Sequence, residues 1–382
     1  MSNELERGLE GVLVAESDLS YIDGSDGTLL YRGYHIEDLA TRADFEEVLY
    51  LLWHDDLPTR TELETFTEKL TADQHVDDDV LTAVADMADA DADPMDALRT
   101  AVSLLPTYDP ESDADTDDAA VGRRQGRRIT AKIPTILAAF DRARRGEEPV
   151  EPDDDLGYAG NFLYMLTGTR PDDVAEETFD MAMTLHADHG LNASTFASMV
   201  IASTMADVYS SVIGGIGALS GPLHGGANED VMEMLEEIDE AGADPVEWAK
   251  KARADGRRIP GYGHRVYQVK DPRANILESR LRDLSDASGD TTWLDYTTAI
   301  EGHLADEGLV EKGIAPNVDF YSGSVYDHLG IPTDMYTPIF AMARAGGWIA
   351  HILEYQSDNR LIRPRARYTG RTDADFVPID ER

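Results

Sequence analysis

The chain runs to 382 residues, 42% of them hydrophobic, which is enough for a large core that folds unaided and, as a length prior, for two domains. Against 33 Lys+Arg stand 75 Asp+Glu, a net charge of −42, and only six of the cations are lysine; such a field argues against a nucleic-acid partner, which needs an organised basic face. There is no cysteine, which excludes disulfides, thiolate-ligated zinc and a thiol nucleophile and leaves His, Asp, Glu, Ser and Arg to carry any chemistry.

No apolar run approaches the roughly 18 residues of a membrane span. The opening MSNELERGLEG lacks a basic region followed by an apolar core, so the expected location is the cytoplasm, with no membrane partner. The acids are spread through DADQHVDDD, DADADP, DPESDADTDD and DTDADF rather than gathered in a tail. Self-repulsion on that scale is relieved by screening salt, which points to a halophilic protein in a high-salt cytosol.

In chain order, residues 12–34 (VLVAESDLSYIDGSDGTLLYRGY) carry short β-prone runs around Gly24, Asp26 and Gly27, the signature of a small N-terminal hairpin. Helical periodicity then takes over in DFEEVLYLLW, ELETFTEKL, NFLYMLTG, ETFDMAMTLHADHG, the long stretch NASTFASMVIASTMADVYSSVIGGIGAL and TPIFAMARAGGWIAHILEYQ. Acidic stretches from about Tyr108 to Gly122 and at RRGEEPVEPDDD read as surface connections, and the RRQGRR run at Arg123–Arg128 as a solvated entry to the next helix. Nothing alternates like a parallel-sheet core, and Gly215-Ile-Gly217 follows a helical pattern rather than a strand, which excludes a Rossmann reading. No fixed-period repeat is present. The fold class is mainly α.

Four pieces can carry chemistry. Gly221–Gly226 (GPLHGG) closes the long small-residue helix and presents His224 on backbone that Gly and Pro keep open to a ligand. Ile259–Tyr267 (IPGYGHRVY) repeats the device with His264, followed by Lys270 and Arg273. In Ala315–Gly323 (APNVDFYSG), Asp319 sits among apolar and aromatic neighbours, where desolvation raises a carboxylate's pKa and makes it a stronger base. His186-Ala-Asp-His189 places two imidazoles three apart on one predicted helix face, a spacing open to a metal although no further ligands are evident. Arg344 lies within the apolar run IFAMARAGGWIA, where a charge needs an anion, and Arg273 and Arg363 stand beside prolines. Guanidinium forks match carboxylates, so these arginines suggest a pocket for a small di- or tricarboxylate.

Nearly end to end, the blocks GLEGVLVAES, DGTLLYRGYHIEDLA, KIPTILAAFDRARRG, NFLYMLTG, HADHGLNASTFA, GPLHGGANEDV, GYGHRVYQVKDPRA, PNVDFYSG and RPRARYTG resemble, in order, those of the citrate synthase family in its short archaeal and bacterial form. The resemblance implies a homodimer of helical subunits. Each would have a large domain, 1–225 with 330–382, and a small domain, 226–329, that closes over the active site. It implies condensation of oxaloacetate with acetyl-CoA and water to citrate and CoA, an acyltransferase step of the tricarboxylic acid cycle using neither metal nor redox cofactor. By motif, Asp319 would remove the acetyl proton, His224 stabilise the enol(ate) and His264 polarise and protonate the ketone. His189, Arg273, Arg344 and Arg363 would hold oxaloacetate, Arg363 from the partner subunit. Gln268 stands where many relatives carry a basic residue for CoA phosphates, leaving Lys270 or Arg367 as substitutes. An alternative within the family is 2-methylcitrate synthase acting on propionyl-CoA, since one methylene separates acyl groups by only about 1–3 kcal/mol. Outside it stand a metal-dependent hydrolase built on His186 and His189, and a non-catalytic helical scaffold.

Overall fold

The computed structural model describes residues 5–9 and 11–382. Among these residues there are sixteen α-helices, short 3-10 turns and one small antiparallel sheet, so the chain is mainly α. The sheet runs β1 (Ser20–Asp23), β2 (Thr28–Tyr31) and β3 (Tyr34–His35). The expected hairpin is β1–β2, with Ser20 opposite Tyr31 and Asp23 opposite Thr28. Its turn is folded by Asp23, whose Oδ1 accepts from the Ser25 amide at 2.9 Å. β3 then pairs with β2, Tyr34 opposite Tyr31, which extends the hairpin into a three-stranded sheet; two residues are too short a run to show a period of two in sequence.

The helices are α1 (Ile36–Arg42), α2 (Phe45–His54), α3 (Arg60–Ala72), α4 (Asp78–Asp89), α5 (Pro94–Leu104), α6 (Ala119–Arg144), α7 (Tyr158–Thr167) and α8 (Asp173–His186). There follow α9 (Ala193–Ala202), α10 (Val208–Leu219), α11 (Ala227–Glu240), α12 (Pro245–Ala254), α13 (Pro272–Ser288), α14 (Thr292–Asp306), α15 (Asp319–His328) and α16 (Tyr336–Ser357). Part of the acid excess is spent on starting them. Asp93, Asp118, Asp172, Asp207, Asp244 and Asp271 are all N-caps whose carboxylates accept first-turn amides, where the helix dipole also favours negative charge.

Two departures from the sequence pattern have local causes. The stretch 192–219 is not one helix: α9 stops at Ala202, Met205 takes a left-handed φ of 62°, and Asp207 caps α10. The hydroxyls of Ser203 and Thr204 bond back to the carbonyls of Val200 and Ile201, satisfying the end of α9, and the two helices fold against each other. The acidic connection also ends sooner than Gly122, because α6 begins at Ala119 and takes the basic run Arg123–Arg128 into its first turns.

α6 crosses the core with Pro134 inside it. Proline has no N–H for the Thr130 carbonyl one turn earlier; the Tyr158 hydroxyl donates to that carbonyl instead, at 3.0 Å. α16 is buried along most of its length, with Trp348, Ile349 and Ile352 fully covered. Its Gly347 allows a close approach, since a Cβ there would lie 2.3 Å from the Ala187 carbonyl oxygen. That contact sets α16, and Arg344 on it, against the turn after α8. α11 to α15 pack on one another, with α13 also touching α1 and α8. Among the described residues no helix is long and apolar enough to cross a membrane.

Candidate active site

His264 and Asp319 are carried by two loops zipped together through their backbones. The Asn317 amide donates to Gly261 O and the Gly263 amide to Ala315 O, both at 2.9 Å. The Asp271 amide reaches Pro316 O at 3.0 Å, and the Asn317 side-chain amide reaches Gly263 O at 3.0 Å. Gly261 makes this possible: it adopts φ +72°, and a Cβ there would lie 2.8 Å from Phe320 Cα. Asp319 opens α15, its own amide accepted by Asn317 Oδ1 at 2.9 Å, while its carboxylate takes no hydrogen bond among the described residues. Burial pushes that carboxyl up to about 6, a rise that the positive charge of Arg273 partly offsets.

The hydrogen bonds fix the imidazoles' protons. His264 Nδ1 faces the amides of Val266 at 3.0 Å and Tyr267 at 3.2 Å. An amide only donates, so Nδ1 is the acceptor and Nε2 carries the hydrogen. His224 is held the opposite way round: its Nε2 faces the Ser194 amide at 3.1 Å and the Ser194 hydroxyl at 2.8 Å, so Nδ1 carries the hydrogen. Burial, followed by the field of Arg344 at His224 and of Arg273 at His264, lowers both groups to about 4, and both are neutral at pH 7. His189 is displaced well below its usual range by burial and by Arg273; its Nε2 meets the Tyr267 hydroxyl at 3.2 Å and its ring stands edge-on to His264 at 5.3 Å.

The two buried guanidiniums differ. Arg273 is bonded bidentately through Nε and Nη2 to Asp271, at 3.0 and 2.7 Å, which leaves Nη1. Arg344 is 1% exposed and stands 4.7 Å over the Phe340 ring. It gives only Nε, at 2.7 Å to His186 O, and has no carboxylate in ion-pair range among the described residues. Burial without a partner lowers it to about 10, so it remains charged and is available to an anion.

Other expected residues are placed differently. α8 ends at His186, so His186 and His189 do not share a helix face: His189 lies beyond the turn, while His186 stays in the core, 4.9 Å from the Phe340 ring, its Nδ1 donating to Ala182 O at 2.7 Å. No group of three His, Cys, Asp or Glu among the described residues is placed to hold a metal ion. The metal reading therefore loses its geometric premise. Lys270 has its ammonium on Glu278 at 2.7 Å and Glu301 at 2.8 Å, over the Tyr321 ring, which leaves a phosphate little to take. Arg363 and Arg367 lie on the arm 358–382 that follows α16, and both are exposed.

Residue-level reading of the sequence passed over Ser194, which orients His224; Tyr267 and Asp271, which hold His189 and Arg273; and Asp188, fully buried and paired with His351 Nε2 at 3.1 Å. Asp188 had a visible signal, an acid between two candidate histidines; Ser194 had none.

Residues 8–365 match the family model described as citrate synthase, C-terminal domain. The chain belongs to the citrate synthase family. It is 58% identical to the citrate synthase of Haloferax volcanii across 100% of both chains. The 2-methylcitrate synthases are more distant relatives, 42% identical for that of Mycobacterium tuberculosis over 96% of this chain and 91% of the other. Among solved structures, the ternary complex of citrate synthase from the thermophilic archaeon Thermoplasma acidophilum with carboxymethyl coenzyme A and oxaloacetate superposes with a TM-score of 0.91, at 33% identity and 100% coverage of each chain. Citrate synthases are acyltransferases that form a carbon–carbon bond at the acyl group, chemistry that calls for a base, an oxyanion donor and an electrophile donor.

Proposed function

We propose that this citrate synthase condenses oxaloacetate with acetyl-CoA and hydrolyses the citryl thioester to citrate and CoA, as a cytoplasmic homodimer. The observation that carries the reading is that the desolvated Asp319 and the neutral His224 both lie in the field of Arg344, which among the described residues lacks a carboxylate partner, with the neutral His264 beside Arg273. Asp319 removes a proton from the acetyl methyl. A carboxylate alone is too weak a base for a thioester α-proton, so the charge moving onto the thioester oxygen is met by the Nδ1–H of His224, which Ser194 aims. The enol(ate) carbon attacks the ketone of oxaloacetate, whose oxygen receives the hydrogen on His264 Nε2 and becomes the tertiary hydroxyl. Arg344, Arg273 Nη1 and His189 hold the ketoacid. Closure of 226–329 over the remainder shields the enol(ate) from water until both substrates are in place.

Initial-rate release of CoA thiol in molar potassium chloride tests this directly, and the chain's lack of cysteine keeps the background low. Release that needs oxaloacetate and favours acetyl-CoA over propionyl-CoA is the expected result. A propionyl preference would make the enzyme a 2-methylcitrate synthase, and no release with either would remove the condensation from the reading.

The dimer rests on the arm 358–382. Its Leu361, Tyr368, Phe376 and Ile379 are 57–83% exposed, more apolar surface than a free tail carries without a partner to cover it. On this reading Arg363 completes the partner's carboxylate pocket. An Arg363→Leu chain and an Asp319→Asn chain, each inactive alone, should together restore about a quarter of wild-type activity, because half of randomly formed dimers regain one intact site. No recovery in mixed dimers of verified composition would place Arg363 in its own subunit's site or in none.

A further inference from the structure

Three residues on one face of α16 grip the turn that carries His189. Arg344, Gly347 and His351 are spaced three and four apart, so they line up along a single stripe of the helix. α8 ends at His186, and the carbonyls of a helix's last turn have no partner within the helix. α16 supplies two donors there: Arg344 Nε reaches His186 O at 2.7 Å, and the Gly347 amide reaches Ala187 O at 3.1 Å. One turn further along, His351 Nε2 meets both carboxylate oxygens of Asp188, at 3.1 and 3.3 Å. Three successive residues of the turn are thus held by three successive positions of the stripe. From the other side, the Tyr31 hydroxyl of β2 accepts the Asp188 amide at 3.2 Å and donates to the Asp188 carbonyl at 2.7 Å.

The Asp188 carboxylate closes the turn around His189. Its Oδ2 accepts the Gly190 amide at 3.2 Å, so the His189 backbone is bracketed by that bond, and Gly190 completes the reversal at φ +57°. Asp188 and His351 are both buried, and a Cβ at Gly347 would lie 2.8 Å from Asp188 Oδ1. Burial by itself would raise the Asp188 carboxyl. His351, and after it Arg344, more than offset this and hold it below its usual value, so it is ionised at pH 7. A carboxylate only accepts, so His351 Nε2 carries the hydrogen between them. An ionised acid is kept in the core only with such a partner.

We propose that Asp188 and His351 are a positioning pair for oxaloacetate: anchored by His351, the carboxylate fixes the turn so that His189 and Arg344 meet the ketoacid in one geometry. The inference rests on oxaloacetate as the occupant of that pocket. The pair acts through His189 and Arg344. The HADH run thus divides by role: His186 stays in the core, Asp188 sets the turn, and His189 serves the substrate.

The test is calorimetric titration of oxaloacetate into the full-length protein in molar potassium chloride, with steady-state kinetics on the same samples. His351→Leu leaves an ionised Asp188 without its donor and should weaken oxaloacetate binding roughly tenfold or more, while the KM for acetyl-CoA at saturating oxaloacetate stays within about twofold. His351→Gln, whose amide can donate to the carboxylate, should keep most of the affinity. Asp188→Asn has one oxygen to serve both His351 and Gly190, and should by itself weaken binding roughly threefold to tenfold. Added to His351→Leu, it should bring the loss back towards its own, since no uncompensated charge remains. Unchanged affinity in His351→Leu or in Asp188→Asn would overturn the proposal. So would a loss that neither His351→Gln nor the double substitution reduces, or one shared equally by acetyl-CoA, because His351 would then only fill the core. If the parent takes up no oxaloacetate, the pocket itself is wrong and the pair has nothing to position. Circular dichroism of each variant separates loss of the site from loss of the fold, and Asp188→Asn, which keeps the side chain's shape, decides the matter if His351→Leu does not fold.

Discussion

Asp319→Asn is expected to lower CoA release by roughly 10²–10⁴-fold, the usual worth of a positioned general base, with the oxaloacetate KM little changed. Among the described residues the carboxylate takes no hydrogen bond, and Asn has its shape, so Arg344, Arg273 and His189 should stay in place. In the parent, activity should rise with pH up to about 6, where burial has moved this group, and that limb should be absent from the variant's residual rate. The same substitution should stabilise the protein. The folded state keeps this proton until about pH 6, whereas the unfolded chain releases it near the ordinary 3.8. Between those values the native state binds more protons, so stability falls as pH rises through the window and stays lower above it. Asn removes that cost, on the order of 1–3 kcal/mol, with the lower end favoured because the carboxylate opens partly to the cleft. Thermal melts should therefore place the variant above the parent at neutral pH, with the gap closing towards pH 4. Unchanged activity would end the assignment of Asp319 as base; an unchanged or lower melting temperature would end the desolvation account.

Dialysis from molar potassium chloride into dilute buffer is expected to cost the protein its helical signal and activity. The six capping aspartates have partners that do not depend on salt, but they absorb only a small part of a net charge of −42. Most of the arginines are already committed to ion pairs with acids, such as Arg128 with Asp109 and Arg144 with Asp141 and Asp334, so the surplus carboxylates face only one another and solvent. Their mutual repulsion reaches about 30 Å at 0.01 M salt but only about 3 Å at 1 M. Melting temperature should climb with potassium chloride concentration, and an uncharged osmolyte at equal osmolality should not replace the salt. Full helicity and activity after prolonged dialysis would show that the acidic surface serves solubility alone.

Much of this was written locally in the chain. Periods of three and four mark α2, α7, α8 and α16, and glycines and prolines mark the loops of His224 and His264, because periodicity and punctuation are properties of neighbouring residues. Asp207, an N-cap inside an apparently continuous helical run, was a legible stop signal whose weight only the folded chain revealed. What the sequence by itself determined was therefore which segments are helical and which side chains are presented on open loops. The tertiary structure alone decided their chemical state. Ser194, thirty residues from His224, sets which of its nitrogens carries the proton. Glu278 and Glu301 take the ammonium of Lys270, and Tyr158 serves the carbonyl that Pro134 leaves without a donor. Arg344 is left without a carboxylate because, among the described residues, no other segment brings one into range. Pairing, burial and tautomer depend on distances between segments remote in the chain, and those distances exist only once the helices have packed.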